Sequence, residues 1–188
     1  MTLTLGVDEA GRGPVIGPMV MAGVVVTPEQ AEQLRKMGVK DSKLIPPAIR
    51  EDMFEIIKKI VTSYKIIILQ PKEIDAALNS PDSNLNKLEG VTTAQIINEL
   101  KPEKVILDCP STNIKAYEEF VKERVNDKSI KFITEHKADL NYIEPGAASI
   151  LAKVTRDNEI EKLRKKYGEM GPGYPANQIT QVFLKNNW

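Results

Sequence analysis

The sequence predicts an α/β layered fold. Helical and strand-like apolar periods alternate along most of the chain, and the later strand-helix-strand steps call for parallel strands joined by crossovers. At 188 residues the chain fits one domain, able to bury roughly 70% of the surface its unfolded form exposes.

The elements follow in order. Residues 3–7 form a short strand, and the β-branched run 20–26 forms a second. Gly13-Pro14-Val15-Ile16-Gly17-Pro18 lies between them as a turn or irregular hairpin. A helix starts with Thr27 as cap, Pro28 at the first helical position and Gln30 at the capping-box position, and Gly38 ends it. Ile49, Met53, Ile56, Ile57, Ile60 and Val61 draw an apolar stripe over a second helix, 47–62. Residues 66–69 read as a buried strand and 71–86 as a surface loop. Leu85, Leu88, Ile96 and Leu100 mark another helix, weakened near Gly90. Strand 105–107, helix 114–125, strand 130–133 and a helix from 147 to 167 complete the string, the last with a change of apolar phase near Thr155.

Composition narrows the function. Acidic and basic residues balance at 26 each, which favours neither a duplex-wrapping protein nor an acidic tail. Cys109 is the sole cysteine, so an intrachain disulfide and a cysteine-rich zinc site are excluded. The opening residues carry no basic n-region, and no apolar run reaches the roughly 18 residues of a membrane span. A soluble, cytoplasmic chain without a membrane partner is expected.

The chemistry is concentrated in acids at strand ends. Asp8 and Glu9 follow the first strand, and Asp108 follows strand 105–107; in α/β sheets, carboxyl-terminal strand ends line the ligand crevice. For Asp108 a cap on the turn Asp108-Cys109-Pro110-Ser111 is the competing reading. The run Glu135-His136-Lys137-Ala138-Asp139 offers Glu135, Asp139 or both, with a solvated loop as the alternative. Together these acids make a hard oxygen donor set suited to Mg²⁺ or Mn²⁺. Close carboxylates repel unless cations neutralise them. His136, the only histidine, is expected beside the site or at the surface, and Cys109 as a small buried thiol, because neither has a partner for nucleophilic chemistry.

Groups suited to phosphate and sugar surround these acids. Arg12 lies between Gly11 and Gly13, whose lack of side chains lets backbone amides approach a ligand. Lys40-Asp41-Ser42-Lys43 forms a second candidate loop. Lys153 and Arg156 follow the small-residue patch 146–149, and Lys153 shares a helical face with Ser149. Tyr174, in Gly171-Pro172-Gly173-Tyr174-Pro175, could stack on a sugar or base or pack between its prolines.

These runs carry a family resemblance. Asp8-Glu9-Ala10-Gly11-Arg12-Gly13-Pro14-Val15-Ile16-Gly17-Pro18, Asp41-Ser42-Lys43, His136-Lys137-Ala138-Asp139, the segment 147–157 and Gly173-Tyr174-Pro175 occur in an order that resembles type 2 ribonuclease H, the ribonuclease HII family, in its archaeal form. The resemblance implies a ribonuclease H-like fold, a central mixed five-stranded sheet flanked by helices, with three antiparallel strands first and parallel pairing after. It implies catalytic, metal-holding roles for Asp8, Glu9, Asp108 and Asp139 with two Mg²⁺ or Mn²⁺ ions. The implied substrate is an RNA–DNA hybrid or a DNA duplex containing ribonucleotides, cut on the 5′ side of a ribonucleotide to leave 3′-hydroxyl and 5′-phosphate ends. Gly11, Arg12, Gly13 and Tyr174 would read the ribose and its phosphates, while Ser42, Lys43, Ser149 and Lys153 would position the backbone.

Some positions depart from the family pattern. Ala176-Asn177-Gln178 stands where Ser-Asp-Pro often follows Gly-Tyr-Pro, and Glu144-Pro145-Gly146 replaces a more apolar stretch, with Pro145 constraining entry to the helix. The resemblance divides the chain into a catalytic domain, 1–170, and the start of a truncated substrate-contacting segment, 171–188, beyond which a tail would bind a sliding clamp. A monomer is expected. A nonenzymatic nucleic-acid-binding module with a vestigial acidic site, or a less specific metal-dependent nuclease or phosphatase, is the alternative.

Overall fold

The computed structural model describes residues 2–39 and 45–187. Strand β1 (Thr4–Ala10) and strand β2 (Met19–Val26) pair antiparallel, from Thr4 opposite Val26 to Ala10 opposite Val20. Helices α1 (Pro28–Lys36) and α2 (Pro47–Ile60) follow, and strand β3 (Ser63–Leu69) returns antiparallel to β2. Then come α3 (Pro71–Asn79), α4 (Leu85–Leu100), β4 (Lys104–Asp108), α5 (Ile114–Arg124), β5 (Lys131–Glu135), the single turn α6 (Ala138–Asn141), α7 (Ile143–Tyr167) and α8 (Gln178–Asn187). β4 pairs parallel with β1, and β5 pairs parallel with β4, so the sheet order is β3-β2-β1-β4-β5. This is the mixed five-stranded sheet that the resemblance implied.

Strand alternation divides the core in two. Leu5, Val7, Met21, Val105 and Leu107 face α4 and α5, where they meet Ile96, Ile97, Tyr117 and Val121. Val20, Ala22, Val24 and Val26 face α1, α2 and α7, where they meet Leu34, Ile57, Ala147, Ile150 and Leu151. Gly6 lets α7 lie directly on β1: a Cβ there would come within 2.0 Å of the Glu144 carbonyl carbon and 2.2 Å of the Pro145 nitrogen.

Three expectations need correction, and one helix lies beyond the expected string. Residues 71–79 form α3 rather than a loop; Pro71 opens it, the Gln70 N–H donates to the Glu73 carboxylate at 2.8 Å, and the Glu73 N–H donates back to the Gln70 carbonyl at 2.9 Å. α4 runs unbroken through Gly90, which is packed so tightly that a Cβ would stand 2.7 Å from the Phe120 ring. α7 begins at Ile143, ahead of residue 147, because Pro145 falls in the first turn, where its missing N–H costs nothing. Finally, α8 follows the Tyr174 loop, and Asn177 Oδ1 accepts the Thr180 N–H at 3.1 Å at its start.

Candidate active site

The parallel register brings the acids together. Val7 pairs with Leu107, so Asp8 and Asp108 stand next to each other one residue further along neighbouring strands. Asp108 pairs with Glu135 across β4 and β5, which carries the chain directly into α6 and Asp139. Asp108 does cap a turn, but a different one from the 108–111 turn: its Oδ1 accepts the Ala138 N–H at 3.1 Å, tying the end of β4 to the start of α6. Lys137 turns the chain there with φ 58°, and Asp139 is buried.

Asp8 and Glu9 project to opposite faces of β1. Asp8 is buried beneath α7, where the Ser149 hydroxyl hydrogen-bonds its carboxylate and the Glu9 N–H donates at 2.8 Å. Burial, then the charges of Glu9 and Asp108, push Asp8 well above the usual carboxylate range. Glu9 lies on the α4 side; burial, then Glu89 and Asp108, raise it to about 7 against the opposing pull of Arg12. Ser149, expected at a phosphate, thus supports a carboxylate.

Glu89 is the residue that sequence reading missed. It is fully buried on α4, and its Oε2 accepts a hydrogen bond from Arg12 Nη1. Burial raises it to about 7 even with that guanidinium beside it. A signal was present: Leu85, Glu89 and Thr93 recur every four residues on the buried face of α4.

The glycine turn and the tyrosine loop meet at the same end of the sheet. A Cβ on Gly13 would lie 3.8 Å from the Tyr174 ring. The Val15 N–H donates to the Gly173 carbonyl at 2.8 Å. Arg156, grouped by sequence with the candidate phosphate contacts, is instead buried and ties the two segments together, donating to the Ile16, Pro18 and Pro172 carbonyls at 3.2–3.3 Å. Its guanidinium lies 5.6 Å from the Tyr174 ring centre. Gly11, at φ 97°, has no room for a side chain, because a Cβ would come within 2.4 Å of Arg156 Nε.

Lys153 pairs with Asp157 one turn along α7, and Arg50 approaches the same carboxylate at 3.6 Å. His136 Nδ1 is hydrogen-bonded with the Cys109 carbonyl at 3.1 Å, and the Cys109 thiol is buried and its pKa raised by burial. Lys40, Asp41, Ser42 and Lys43 lie outside the described residues.

Among the described residues, no group of three or more acid, histidine or cysteine side chains is already placed to hold a metal ion. The donor chemistry fits one all the same. The crowded ends of β1 and β4 present carboxylate oxygens, hard donors suited to a divalent cation, which would offset the mutual repulsion that helps to raise Asp8 and Glu9.

The ribonuclease HII family model matches residues 5–188. The chain belongs to the ribonuclease HII family. It is 45% identical over 182 residues to ribonuclease HII of Pyrococcus furiosus, covering 96% of this chain and 79% of that protein. Among solved structures it resembles ribonuclease H2 from Pyrococcus horikoshii OT3, with TM-score 0.90 and 41% identity over 98% of this chain and 86% of that one. It also resembles RNase HII of Archaeoglobus fulgidus, solved in complex with PCNA, with TM-score 0.89 and 37% identity over 98% of this chain and 87% of that one. The sheet is therefore a ribonuclease H-like one. As a ribonuclease HII, the chain is a divalent-metal-dependent endoribonuclease acting on RNA–DNA hybrids. No helix among the described residues is long and apolar enough to cross a membrane.

Proposed function

We propose that Asp8, Glu9, Asp108 and Asp139 hold two Mg²⁺ or Mn²⁺ ions and that the chain hydrolyses the phosphodiester on the 5′ side of a ribonucleotide, in RNA–DNA hybrids or embedded singly in duplex DNA. The observation that carries this reading is the adjacency of Asp8 and Asp108 at the ends of paired parallel strands, with Tyr174 facing Gly13 at the same end of the sheet. Bound there, the ions would activate the attacking water and offset the charge growing on the leaving 3′-oxygen.

The protein side of the reaction is orientation. Asp8 is aimed by two hydrogen bonds, from the Glu9 N–H and the Ser149 hydroxyl. Asp108 is anchored by the Ala138 N–H, which also sets where Asp139 begins its turn. Residues 11–13 expose backbone to the ribose, whose 2′-hydroxyl is the local distinction between RNA and DNA. Tyr174, beside Gly13, would present its ring to the sugar at the ribonucleotide–DNA junction. The PCNA complex of the Archaeoglobus relative supports a sliding clamp as a partner of this chain.

Asp8→Asn and Asp108→Asn test the reading. Each should cut cleavage of a hybrid by at least about 10³-fold, a loss the size of removing a dominant electrostatic group. Melting temperature should be retained, because each change removes a repulsive charge. Folded variants that cleave at the parental rate would refute the assignment.

A further inference from the structure

We propose that Glu89 is a positioning residue for substrate recognition. With Asn86 it docks the Arg12 side chain on α4, so that Arg12 anchors the 11–13 loop instead of reaching out to a phosphate. The inference rests on the reading that this loop addresses the ribose.

The geometry uses both ends of the guanidinium. Nη1 donates to Glu89 Oε2, and Nη2 donates to Asn86 Oδ1 at 2.8 Å. Asn86 and Glu89 are three apart on α4 and therefore share a face. A planar fork held at two points has its orientation fixed, which a single contact cannot do.

The two partners differ in depth. The Glu89 side chain is 1% exposed and that of Arg12 is 32% exposed. Glu89 Oε1 is buried and takes no hydrogen bond among the described residues. Withdrawing Arg12 to bind a phosphate would thus leave the buried Glu89 carboxyl without its guanidinium partner, and a buried ionisable group left unpaired is strongly disfavoured. Arg12 is better held in place than released.

The anchor is also rigid. Past Glu89, α4 buries Thr92, Thr93, Ile96 and Ile97. On its other side the loop rests on Arg156 through Gly11. The 11–13 backbone is therefore gripped between α4, through Arg12, and α7, through Arg156. Glu89 acts on the substrate through this grip and need not touch it.

The test is steady-state cleavage of a duplex with one embedded ribonucleotide by Arg12→Ala, Glu89→Ala, the double variant, Glu89→Gln and Asn86→Ala, across a salt series. We expect Arg12→Ala and Glu89→Ala each to lower kcat/KM by about 10–100-fold, the scale of a small displacement of a positioned group. The double variant should be no worse than the poorer single one. Glu89→Gln, which keeps an oxygen acceptor, should recover most of the loss, Asn86→Ala should lose several-fold, and the salt dependence should be that of the parent. Multiplying losses in the double variant overturn the proposal, as does a salt slope shallower by about one in Arg12→Ala, the mark of a lost phosphate contact. Should Glu89→Ala fail to fold, the proposal stands or falls on Asn86→Ala and its coupling to Arg12→Ala. Parental kcat/KM in Arg12→Ala sinks the reading of the loop itself; a loss there without one in Glu89→Ala or Asn86→Ala sinks only the role of Glu89.

Discussion

Asp8 and Glu9 are neighbours in sequence, yet one is supported by Ser149 on α7 and the other feels Glu89 on α4. A strand's alternation thus places two acids on two faces of a single sheet end. Asp8 and Asp108 were legible in the sequence because an acid ending an apolar run has few structural reasons to be there. Glu89 was not, because one charged residue within a helix reads as a solvated position unless its four-residue spacing is weighed. Its burial has a measurable consequence. With a carboxyl raised from 4.5 to about 7, the native chain keeps a proton that the unfolded chain gives up. Stability therefore falls as pH rises between those values, and it levels off above them. The span corresponds to about 3 kcal/mol, most of it lost between pH 5 and pH 8. With chelator present, the parent should lose roughly 5–10 °C more melting temperature between pH 5 and pH 8 than Glu89→Gln does. Parallel melting curves for the two would contradict the raised value.

At the scale of elements, α7 organises the site, since it packs along β1, supports Asp8 through Ser149 and joins two loops through Arg156. Its seat on β1 depends on Gly6, where a Cβ would overlap the backbone of residues 144 and 145. Backbone cannot move aside as a flexible side chain can, so Gly6→Ala should cost more than about 3 kcal/mol in denaturant unfolding. A loss under 1 kcal/mol, about the effect of an ordinary surface change, would show that the contact is not tight. The start of α7 was hard to read because Pro145 looks like a barrier, whereas the first helical turn tolerates it. α3 was hidden for another reason. None of its residues is buried, so it has no strong apolar stripe, and only Pro71 and the Gln70–Glu73 capping pair announce it. The helices with apolar faces, α2 and α5, were legible from spacing alone, since Ile57 in one and Tyr117 and Val121 in the other reach the core.

For the whole molecule, the balanced charge of 26 acidic and 26 basic residues conceals a polarised sheet. One end gathers Asp8, Glu9, Asp108 and Asp139, and the loops around them bring Arg12, Gly13 and Tyr174 to the same place. The order of motifs along the chain carried the family likeness, but their meeting did not follow from spacing: residues 13 and 174 lie side by side only because β1 is central and α7 crosses beneath it. Arg156 shows the limit most clearly, since a basic residue on a long helix reads as solvated until three loop carbonyls are found around its guanidinium. The central claim is that this end of the sheet cuts at a ribonucleotide. It is tested most directly by end-labelled duplexes identical except for one embedded ribonucleotide, incubated with Mg²⁺, with Mn²⁺ and with chelator. The account predicts metal-dependent cleavage at a single position, on the 5′ side of that ribonucleotide, with the all-DNA duplex left intact. Equal cutting of the all-DNA duplex, or undiminished cutting in chelator, would contradict it.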